Sequence, residues 1–300
     1  MRKLSKSFGA VQALTDISLT VNAGEMFGLI GPNGAGKSTL FKLMLGLIAP
    51  TAGAILVHGT PSGGRDFRQV RRRIGYLPES FVTYDNLSGI EVLRLFADLK
   101  QVPRAACAEV LAQVGLTAAA GRRVQTYSKG MRQRLGFAQV LLGSPDLIFL
   151  DEPTNGLDPE GIHDFYAILR DVRARGATIV ITSHILAEIE DRVDRLVILQ
   201  GGRIAAQGSL AELRGQNVLP SVIAARLRPG QGERVALALG HLAGLEVGVA
   251  GDCVRIACPA GQKVAVLAAL TALPDALLDI TVREPSLEQL FMGGLHVRAD

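Results

Sequence analysis

The chain of 300 residues contains no long apolar run, and its first residues lack the apolar core of an export signal. Uncharged stretches rich in Ala, Leu and Val, such as Val110–Gly121 and Val264–Pro274, are shorter than the ~18–20 residues that a membrane-spanning helix needs. Met1, Arg2 and Lys3 lead directly into polar residues rather than into an apolar segment. We therefore predict that the chain has no membrane span and no export signal.

Cysteine is scarce as well. Three cysteines, Cys107, Cys253 and Cys258, are too few for a disulfide framework and are typical of a protein in a reducing compartment. Because Cys253 and Cys258 are five positions apart, they would face opposite sides of one strand. We interpret these two cysteines as small core residues rather than as a metal-binding pair.

Basic residues only slightly outnumber acidic ones. The net charge of +4 is the difference between 32 basic and 28 acidic residues, and much of it lies in one cluster. The cluster consists of Arg65, Arg68, Arg71, Arg72 and Arg73. Because Phe67 is the one aromatic residue among these arginines, we interpret the cluster as a solvated surface and expect no nucleic-acid partner. Apolar residues make up 48% of the chain, which excludes intrinsic disorder.

From Leu4 to about Gly215, short apolar runs alternate with longer amphipathic stretches. Runs of four or five nearly all apolar residues are typical of strands buried on both faces of a mainly parallel sheet. These runs are Met26–Ile30, Leu147–Leu150, Thr178–Thr182 and Leu196–Leu199. Ser88 and Ser209 each precede a glutamate by three positions, which is the capping-box pattern of a helix start. The pattern predicts an α/β domain over residues 1–215.

The pattern changes after residues 215–220, where Gly, Gln, Asn and Pro cluster. The remaining chain alternates in the order βαββαβ, the split arrangement of ferredoxin-like domains. The predicted elements are the strand Ser221–Leu227, the helix Glu233–Leu242, a hairpin of Leu245–Val249 and Cys253–Cys258, the helix Lys263–Leu273 and the strand Leu278–Arg283. We predict a small α+β accessory domain over residues 216–300.

The most specific motif is GPNGAGKS over Gly31–Ser38, which fits the pattern GxxxxGK[ST]. It follows a predicted strand and precedes the predicted helix Thr39–Leu47, which is the context this phosphate-binding motif requires. Its glycines let successive N–H groups point into one concavity at a helix N-terminus. We expect Lys37 to reach the β- and γ-phosphates of a nucleotide and the hydroxyl of Ser38 to bind Mg²⁺.

Two acidic residues, Asp151 and Glu152, directly follow the apolar run Leu147–Leu150. In a fold of this type the carboxyl end of that strand emerges beside the phosphate-binding loop. Asp151 is predicted to hold Mg²⁺ directly or through water, and Glu152 to act as the general base. Between the two motifs, Tyr127–Met131 precedes the apolar helix Leu135–Leu142, and its Ser-x-Gly turn can offer amide donors to a phosphate.

Taken in this order, the motifs resemble those of the ATP-binding subunits of ABC transporters over residues 4–215. Gly31–Ser38 resembles the Walker A motif, Leu147–Glu152 resembles the Walker B motif, and Tyr127–Met131 occupies the place of the LSGGQ signature. Asn155–Asp158 resembles the D-loop, and Thr182–His184 resembles the switch-histidine loop.

The resemblance implies an ABC-type P-loop ATPase fold with a helical subdomain at about residues 85–145, and it implies ATP and Mg²⁺ as cofactors. It implies that Lys37, Glu152 and His184 are catalytic. Mg²⁺ would be held by Ser38, Asp151 and Glu79. The implied nucleotide-binding residues are Phe8, which stands where the family has an adenine-stacking aromatic, and Gly31, Pro32, Asn33, Gly34, Ala35, Gly36, Lys37, Ser38, Thr39, Glu79, Ser128 and Gly130.

The resemblance also implies two protein partners. One is a second copy of the chain, arranged head to tail so that each ATP lies between the Lys37 loop of one subunit and Ser128–Gly130 of the other. The second is an integral membrane permease, which would insert a short helix into a groove between the Glu79 loop and Ser88–Lys100. The implied location is therefore cytoplasmic, at the inner face of the plasma membrane.

Several positions depart from the family pattern. Glu79 stands where the family has glutamine, and Lys129 and Met131 replace the second glycine and the glutamine of the signature. Few residues precede Leu4, so we expect a truncated or misassigned start. The segments Ile74–Glu79 and Arg283–Phe291, together with the small C-terminal domain, are similar to ATPases of two-subunit ABC-2-type exporters.

Within these exporters, Tyr127–Gln139 and Leu87–Gly89 are similar to the ATPase that serves nitrous oxide reductase maturation, a system associated with copper processing or transport. ATPases of other ABC-2-type exporters, which carry drugs, lipids or polysaccharides, remain an alternative. An ABC-type ATPase acting on DNA or ribosomes is disfavoured, because the chain has neither a long coiled coil between the Walker motifs nor two ATPase units. Glu152 and His184 argue against a regulatory module that binds ATP without hydrolysing it.

Overall fold

The computed structural model describes residues 1–216 and 220–283 and divides the chain into two compact units. The first unit is Met1–Leu210, and the second begins at Ala211, so the boundary falls at Leu210 rather than at Gly215. A helix covers this boundary, Leu210–Gln216. Residues 284–291 of the segment that is similar to ABC-2-type ATPases lie outside the described residues.

The strands of the first unit are β1 (Arg2–Phe8), β2 (Val11–Ile17), β3 (Met26–Ile30), β4 (Ala52–Ala54), β5 (Leu56–Val57), β6 (Thr60–Pro61), β7 (Ile74–Leu77), β8 (Leu147–Leu150), β9 (Thr178–Ser183), β10 (Arg195–Gln200) and β11 (Arg203–Gly208). Its helices are α1 (Lys37–Met44), α2 (Phe67–Arg72), α3 (Gly89–Lys100), α4 (Ala106–Gln113), α5 (Lys129–Leu141), α6 (Pro159–Ala174) and α7 (Leu186–Ile189), followed by the boundary helix α8 (Leu210–Gln216). The second unit contains β12 (Ser221–Leu227), α9 (Gly232–Leu239), β13 (Glu246–Ala250), β14 (Cys253–Cys258), α10 (Lys263–Thr271) and β15 (Leu277–Arg283).

A six-stranded sheet forms the centre of the first unit, in the order β11-β10-β3-β9-β8-β7. All neighbouring pairs are parallel except the hairpin of β10 and β11. Every residue of β3, β8 and β9 is buried, as expected for strands that are covered on both faces. The predicted bounds of β3 and β8 agree with the structure, and the mainly parallel α/β fold is confirmed.

A second sheet, which the sequence patterns did not reveal, is antiparallel with the order β2-β1-β4. Its inward residues Leu4, Leu14 and Ile17 belong to the same apolar cluster as side chains from α1 and from the central sheet. In this cluster the rings of Phe41 on α1 and Phe149 on β8 meet edge to face, with 5.3 Å between their centroids. The two sheets therefore share one core around α1.

Two predicted helix starts were wrong. Helix α1 begins at Lys37 rather than at Thr39, and it ends at Met44, shortly before Gly46, which has a left-handed φ of 64°. Helix α5 begins at Lys129 rather than at Leu135 because Ser128 caps it, its hydroxyl accepting the Met131 N–H at 3.2 Å. The polar turn and the apolar segment are thus one helix.

The predicted helical subdomain consists of α3, α4 and α5, which pack against one another. The capping box at the start of α3 is present: the Ser88 N–H donates to the carboxylate of Glu91 at 2.8 Å. Among residues 1–216 and 220–283, no helix is both long and apolar enough to cross a membrane.

The second unit is an antiparallel sheet in the order β13-β14-β12-β15, with α9 and α10 in the two crossovers. This order confirms the ferredoxin-like arrangement, although α9 and α10 end at Leu239 and Thr271, earlier than predicted. Cys258 lies in the core as expected, but Cys253 is exposed, because the two positions face opposite sides of β14. Within the described residues no cluster of three His, Cys, Asp or Glu side chains could hold a metal ion.

Candidate active site

A cavity of about 330 Å³ opens at the carboxyl edge of the central sheet, where β3, β8 and β9 end. Most of its lining comes from the loop between β3 and α1 and from the residues that follow the other two strands. Among the lining residues are Pro32, Asn33, Gly34, Ala35, Gly36, Lys37, Ser38, Thr39, Glu79, Asp151, Glu152, Asn155 and His184. Residues that are far apart in the sequence are brought together here because parallel strands end at the same edge.

The loop between β3 and α1 packs tightly beneath the cavity. A Cβ atom on Gly31 would lie 2.4 Å from the carbonyl oxygen of Leu199 at the end of β10, so only glycine fits without displacement. The buried Lys37 ammonium donates to the carbonyl oxygen of Gly31 at 2.6 Å and lies 3.4 Å from that of Pro32. The loop's own carbonyl groups therefore hold the cation at the N-terminus of α1.

Glu152 lies between this cation and His184. Its Oε1 lies 3.4 Å from Lys37 Nζ, and its Oε2 lies 2.7 Å from His184 Nδ1. Since an ionised carboxylate only accepts hydrogen bonds, His184 donates from Nδ1 in this contact. The Glu152 backbone has a φ of 48°, a left-handed conformation that costs a non-glycine residue about 1–2 kcal/mol. The surrounding structure must hold this residue in place.

Asp151 is buried beside other carboxylates. Burial raises its pKa, as do the negative charges of Glu152 and Glu79, whereas a hydrogen bond from Thr182 and the charge of Lys37 act in the opposite direction. The Thr182 hydroxyl donates to Asp151 Oδ1 at 2.7 Å. A nearby cation would relieve the cost of ionising this buried group.

The side chains around Asp151 fit a divalent cation. Ser38, Glu79 and Asp151 all line the cavity, and hydroxyl and carboxylate oxygens are the ligands that Mg²⁺ prefers. The pKa of Asp151 is raised first by burial and then by the charges of Glu152 and Glu79, so a cation at this position would stabilise its ionised form. The donor set predicted from the sequence is therefore compatible with Mg²⁺.

The structure does not bring every predicted site residue to this cavity. Phe8 is half-exposed outside the lining, and the Lys6 ammonium lies 4.9 Å from its ring centroid. Ser128 and Gly130 also lie outside it: Gly130 approaches Gly156, whose carbonyl oxygen would be 3.7 Å from a Cβ atom on Gly130. Adenine stacking by Phe8, and a role for Ser128 and Gly130 at a partner's nucleotide, stay predictions.

Sequence reasoning missed several residues at the cavity. Val11, Gln12 and Ala13 line it from the β1–β2 hairpin, and Gly202 lines it from the β10–β11 turn. Strand β2 is joined to the β10–β11 turn by a hydrogen bond from the Thr15 N–H to the carbonyl oxygen of Gly202 at 2.8 Å. Neither segment has a sequence signature for nucleotide binding, and only the tertiary fold places them there.

Comparison with known proteins agrees with this geometry. The family model described as ABC transporter matches residues 14–155. An ABC transporter ATP-binding protein of Synechocystis is 37% identical over 294 residues, which cover 96% of this chain and 80% of that protein. The chain belongs to the ABC transporter ATP-binding proteins. It is thus an ABC transporter ATPase.

Two other relatives of this ABC ATPase match about two thirds of it. An ABC transporter ATP-binding protein of Nostoc is 48% identical over 211 residues, which cover 68% of this chain but only 62% of the length of that protein. The Nod factor export ATP-binding protein I of Burkholderia orbicola is 39% identical over 214 residues, which cover 69% of each chain.

Solved structures support the same fold. The structure of an ATP-binding subunit of an ABC transporter aligns with a TM-score of 0.67 and 36% identity, over 72% of the ABC ATPase and 91% of that chain. A dimeric ATP-binding cassette bound to ADP and Pi aligns with a TM-score of 0.64 and 24% identity, over 70% and 97% of the two chains. The second likeness concerns the fold alone.

Proposed function

We propose that this ABC ATPase powers export through a separate membrane permease by hydrolysing ATP in the cavity described above. The observation that carries the proposal is the Glu152 carboxylate, which lies 3.4 Å from Lys37 Nζ and 2.7 Å from His184 Nδ1 beside the phosphate-binding loop. The export activity is supported by the Nod factor export relative and by the resemblance of Ile74–Glu79 to ABC-2-type ATPases.

In the proposed mechanism, the loop amides and Lys37 bind the phosphates. The Lys37 ammonium leaves the carbonyl oxygens of Gly31 and Pro32 and the carboxylate of Glu152, and it contacts the β- and γ-phosphates instead. Ser38, Asp151 and Glu79 would hold Mg²⁺, which supplies positive charge against the developing charge on the phosphates.

Nucleotide binding then prepares Glu152 for proton transfer. When Lys37 turns to the phosphates, Oε1 of Glu152 is released and can accept a proton from water. His184, which donates to Oε2, keeps the carboxylate pointed into the cavity. The cation and the base are therefore paired before ATP binds and act on separate groups afterwards.

The proposal includes a homodimer. Ser128 caps α5 on the surface, and neither Ser128 nor Gly130 lines the chain's own cavity. This position is what the head-to-tail arrangement requires, since the two residues would then contact the nucleotide of the partner. Docking on the permease would occur at the cytoplasmic face of the membrane, in the groove between the Glu79 loop and Ser88–Lys100.

The test is a trapped dimer. Glu152→Gln keeps the size of the side chain but removes the base, so ATP with Mg²⁺ should bind without being cleaved and hold two subunits together. Adding Ser128→Arg should block the partner's nucleotide and return the variant to a monomer. Ala112→Arg, which adds the same charge on an exposed site of α4, is the matched control and should leave the dimer intact.

Size-exclusion chromatography over a concentration series with ATP and Mg²⁺ reports these outcomes. Two results would refute the mechanism: hydrolysis by Glu152→Gln at the wild-type rate, or dimerisation of the Ser128→Arg double variant as strong as that of Glu152→Gln alone. The first result would remove Glu152 from the chemistry, and the second would remove the shared nucleotide site.

A narrower proposal concerns the exported material. The similarity of Tyr127–Gln139 and Leu87–Gly89 to the ATPase of nitrous oxide reductase maturation supports a copper- or sulfur-related cargo, which the permease would handle. In a native host with that reductase, Glu152→Gln in the chromosomal gene should leave the reductase without activity and deficient in copper. Normal reductase in that strain would favour another ABC-2-type cargo, a drug, lipid or polysaccharide.

A further inference from the structure

A single hydroxyl group connects the two acidic residues of the site. Thr182, which is fully buried on the central strand β9, donates its hydroxyl proton to Asp151 Oδ1 at 2.7 Å. The hydroxyl oxygen of Thr182 also accepts a hydrogen bond from the backbone N–H of Glu152 at 2.8 Å. The Thr182 hydroxyl therefore bonds the side chain of Asp151 and the backbone of Glu152.

The position of this hydroxyl follows from the strand register. Strands β8 and β9 are parallel, with Leu150 opposite Ile181, so the next residues on each strand, Asp151 and Thr182, are neighbours. Asp151 continues the strand pattern on its other side, where its N–H donates to the carbonyl oxygen of Leu77 at 2.9 Å. Glu152 departs from the pattern, with a φ of 48°, and its N–H turns to the Thr182 side chain.

We propose that Thr182 is a positioning residue: its hydroxyl holds the Asp151–Glu152 peptide in the left-handed turn that points the Glu152 carboxylate at Lys37 and His184. The inference rests on the proposed role of Glu152 as the base. A non-glycine residue leaves the left-handed region unless its surroundings stabilise it there, and the N–H bond to Thr182 is such a stabilising contact. Thr182 itself touches neither the phosphate-binding loop lysine nor the proposed base side chain in any hydrogen bond that the structure describes.

Thr182→Val tests this role because valine has the same shape and no hydroxyl. We expect kcat to fall about 10- to 100-fold, as for a catalytic group displaced by a fraction of an ångström to 1 Å. The affinity for a fluorescent ATP analogue in EDTA should change by less than about two-fold, since the phosphate-binding loop is untouched. Thr182→Ser, which keeps the hydroxyl, should restore kcat.

The matched control is Thr178→Val on the same strand. The Thr178 side chain is buried too, and its hydroxyl oxygen accepts a backbone N–H, from Gly24 at 2.9 Å, but at the far end of β9 from the cavity. This variant loses a comparable hydrogen bond and should keep its wild-type kcat. Should Thr182→Val fail to fold, Thr182→Cys, whose thiol is a weak donor and acceptor, makes the same comparison.

Hydrogen exchange gives a readout that does not depend on activity. In Thr182→Val the amide proton of Glu152 should exchange faster, whereas that of Asp151, bonded to Leu77, should stay protected. The inference is overturned if folded Thr182→Val keeps kcat within about two-fold of wild type, if Thr178→Val loses as much activity, or if exchange at Glu152 is unchanged. Glu152→Gln measured in parallel separates the two claims: full activity there would refute the base itself rather than its positioning.

Discussion

Replacing Gly31 with alanine isolates the contribution of one close backbone contact to ATP binding. A Cβ atom at this position would lie 2.4 Å from the Leu199 carbonyl oxygen and 3.0 Å from the Cβ atom of Ala35. Ordinary contact begins at 3.4 Å, so the loop and the end of β10 must separate by about 1 Å. The partner at closest approach is backbone, which cannot move aside as a flexible side chain can.

The displacement should affect both stability and binding. Overpacking of this kind costs about 1–3 kcal/mol of folding free energy. The Gly31 carbonyl oxygen also accepts a hydrogen bond from the Lys37 ammonium at 2.6 Å, so moving the loop moves the cation that we propose binds the phosphates. In enzymes, a displacement of about 1 Å in such a group lowers the reaction rate by about 100-fold. We therefore expect Gly31→Ala to bind ATP at least about ten-fold more weakly than wild type while remaining folded.

Binding of a fluorescent ATP analogue and thermal unfolding together measure this effect. Gly121→Ala is the control, because a Cβ atom there meets no heavy atom within 4 Å. Its binding and stability should be unchanged. If Gly31→Ala bound ATP with wild-type affinity, the tight packing of the loop against β10 would not be what shapes the phosphate site.

Three further predictions follow from other parts of the chain. Lys37→Ala should lose most ATP binding in an equilibrium binding assay, because the phosphates lose their mobile cation; unchanged affinity would disprove the phosphate-loop assignment. A fragment of residues 1–215 should fold and bind ATP by itself, since the apolar cluster around Ile223, Val254 and Val266 lies wholly in the second unit; an insoluble fragment would show that the units depend on each other. Burial lowers the pKa of Lys100 to about 8, and its ammonium donates to the Gln139 carbonyl oxygen at 2.6 Å near the end of α5. Between the folded-state pKa of about 8 and the ordinary pKa of lysine, the unfolded chain binds a proton at Lys100 that the folded chain lacks, so stability rises with pH. In urea titrations the free energy of unfolding of wild type relative to Lys100→Met should therefore rise from pH 8 to about 10. A flat or falling difference would contradict the prediction.

Local sequence was sufficient where one physical requirement dominates. Strands β3 and β8 had to be apolar throughout because the central sheet is covered on both faces, and their bounds could be read directly. Alternation and turn residues were likewise enough to order the elements of the second unit. The phosphate-binding loop is specified by glycines and a lysine at fixed spacing, so its position needs no tertiary information.

Helix starts were harder to predict because polar caps and apolar faces give separate signals. The apolar residues from Leu135 onward mark the buried side of α5, but the helix begins at Lys129, where Ser128 satisfies the free N–H of Met131. In the same way, Cys253 and Cys258 share a strand, yet only the packing of α9 and α10 against one face of the sheet decides which of them is buried.

The sequence by itself determined the family, the order of the elements in the second unit and the identities of the cation and the acidic residues, because each depends on residue types at short, fixed spacing. Only the tertiary structure decided how Glu152 is held between Lys37 and His184, and that the Thr182 hydroxyl bonds to both Asp151 and Glu152. These contacts join residues about 30 to more than 100 positions apart, and they arise from the register of parallel strands, which no local pattern encodes.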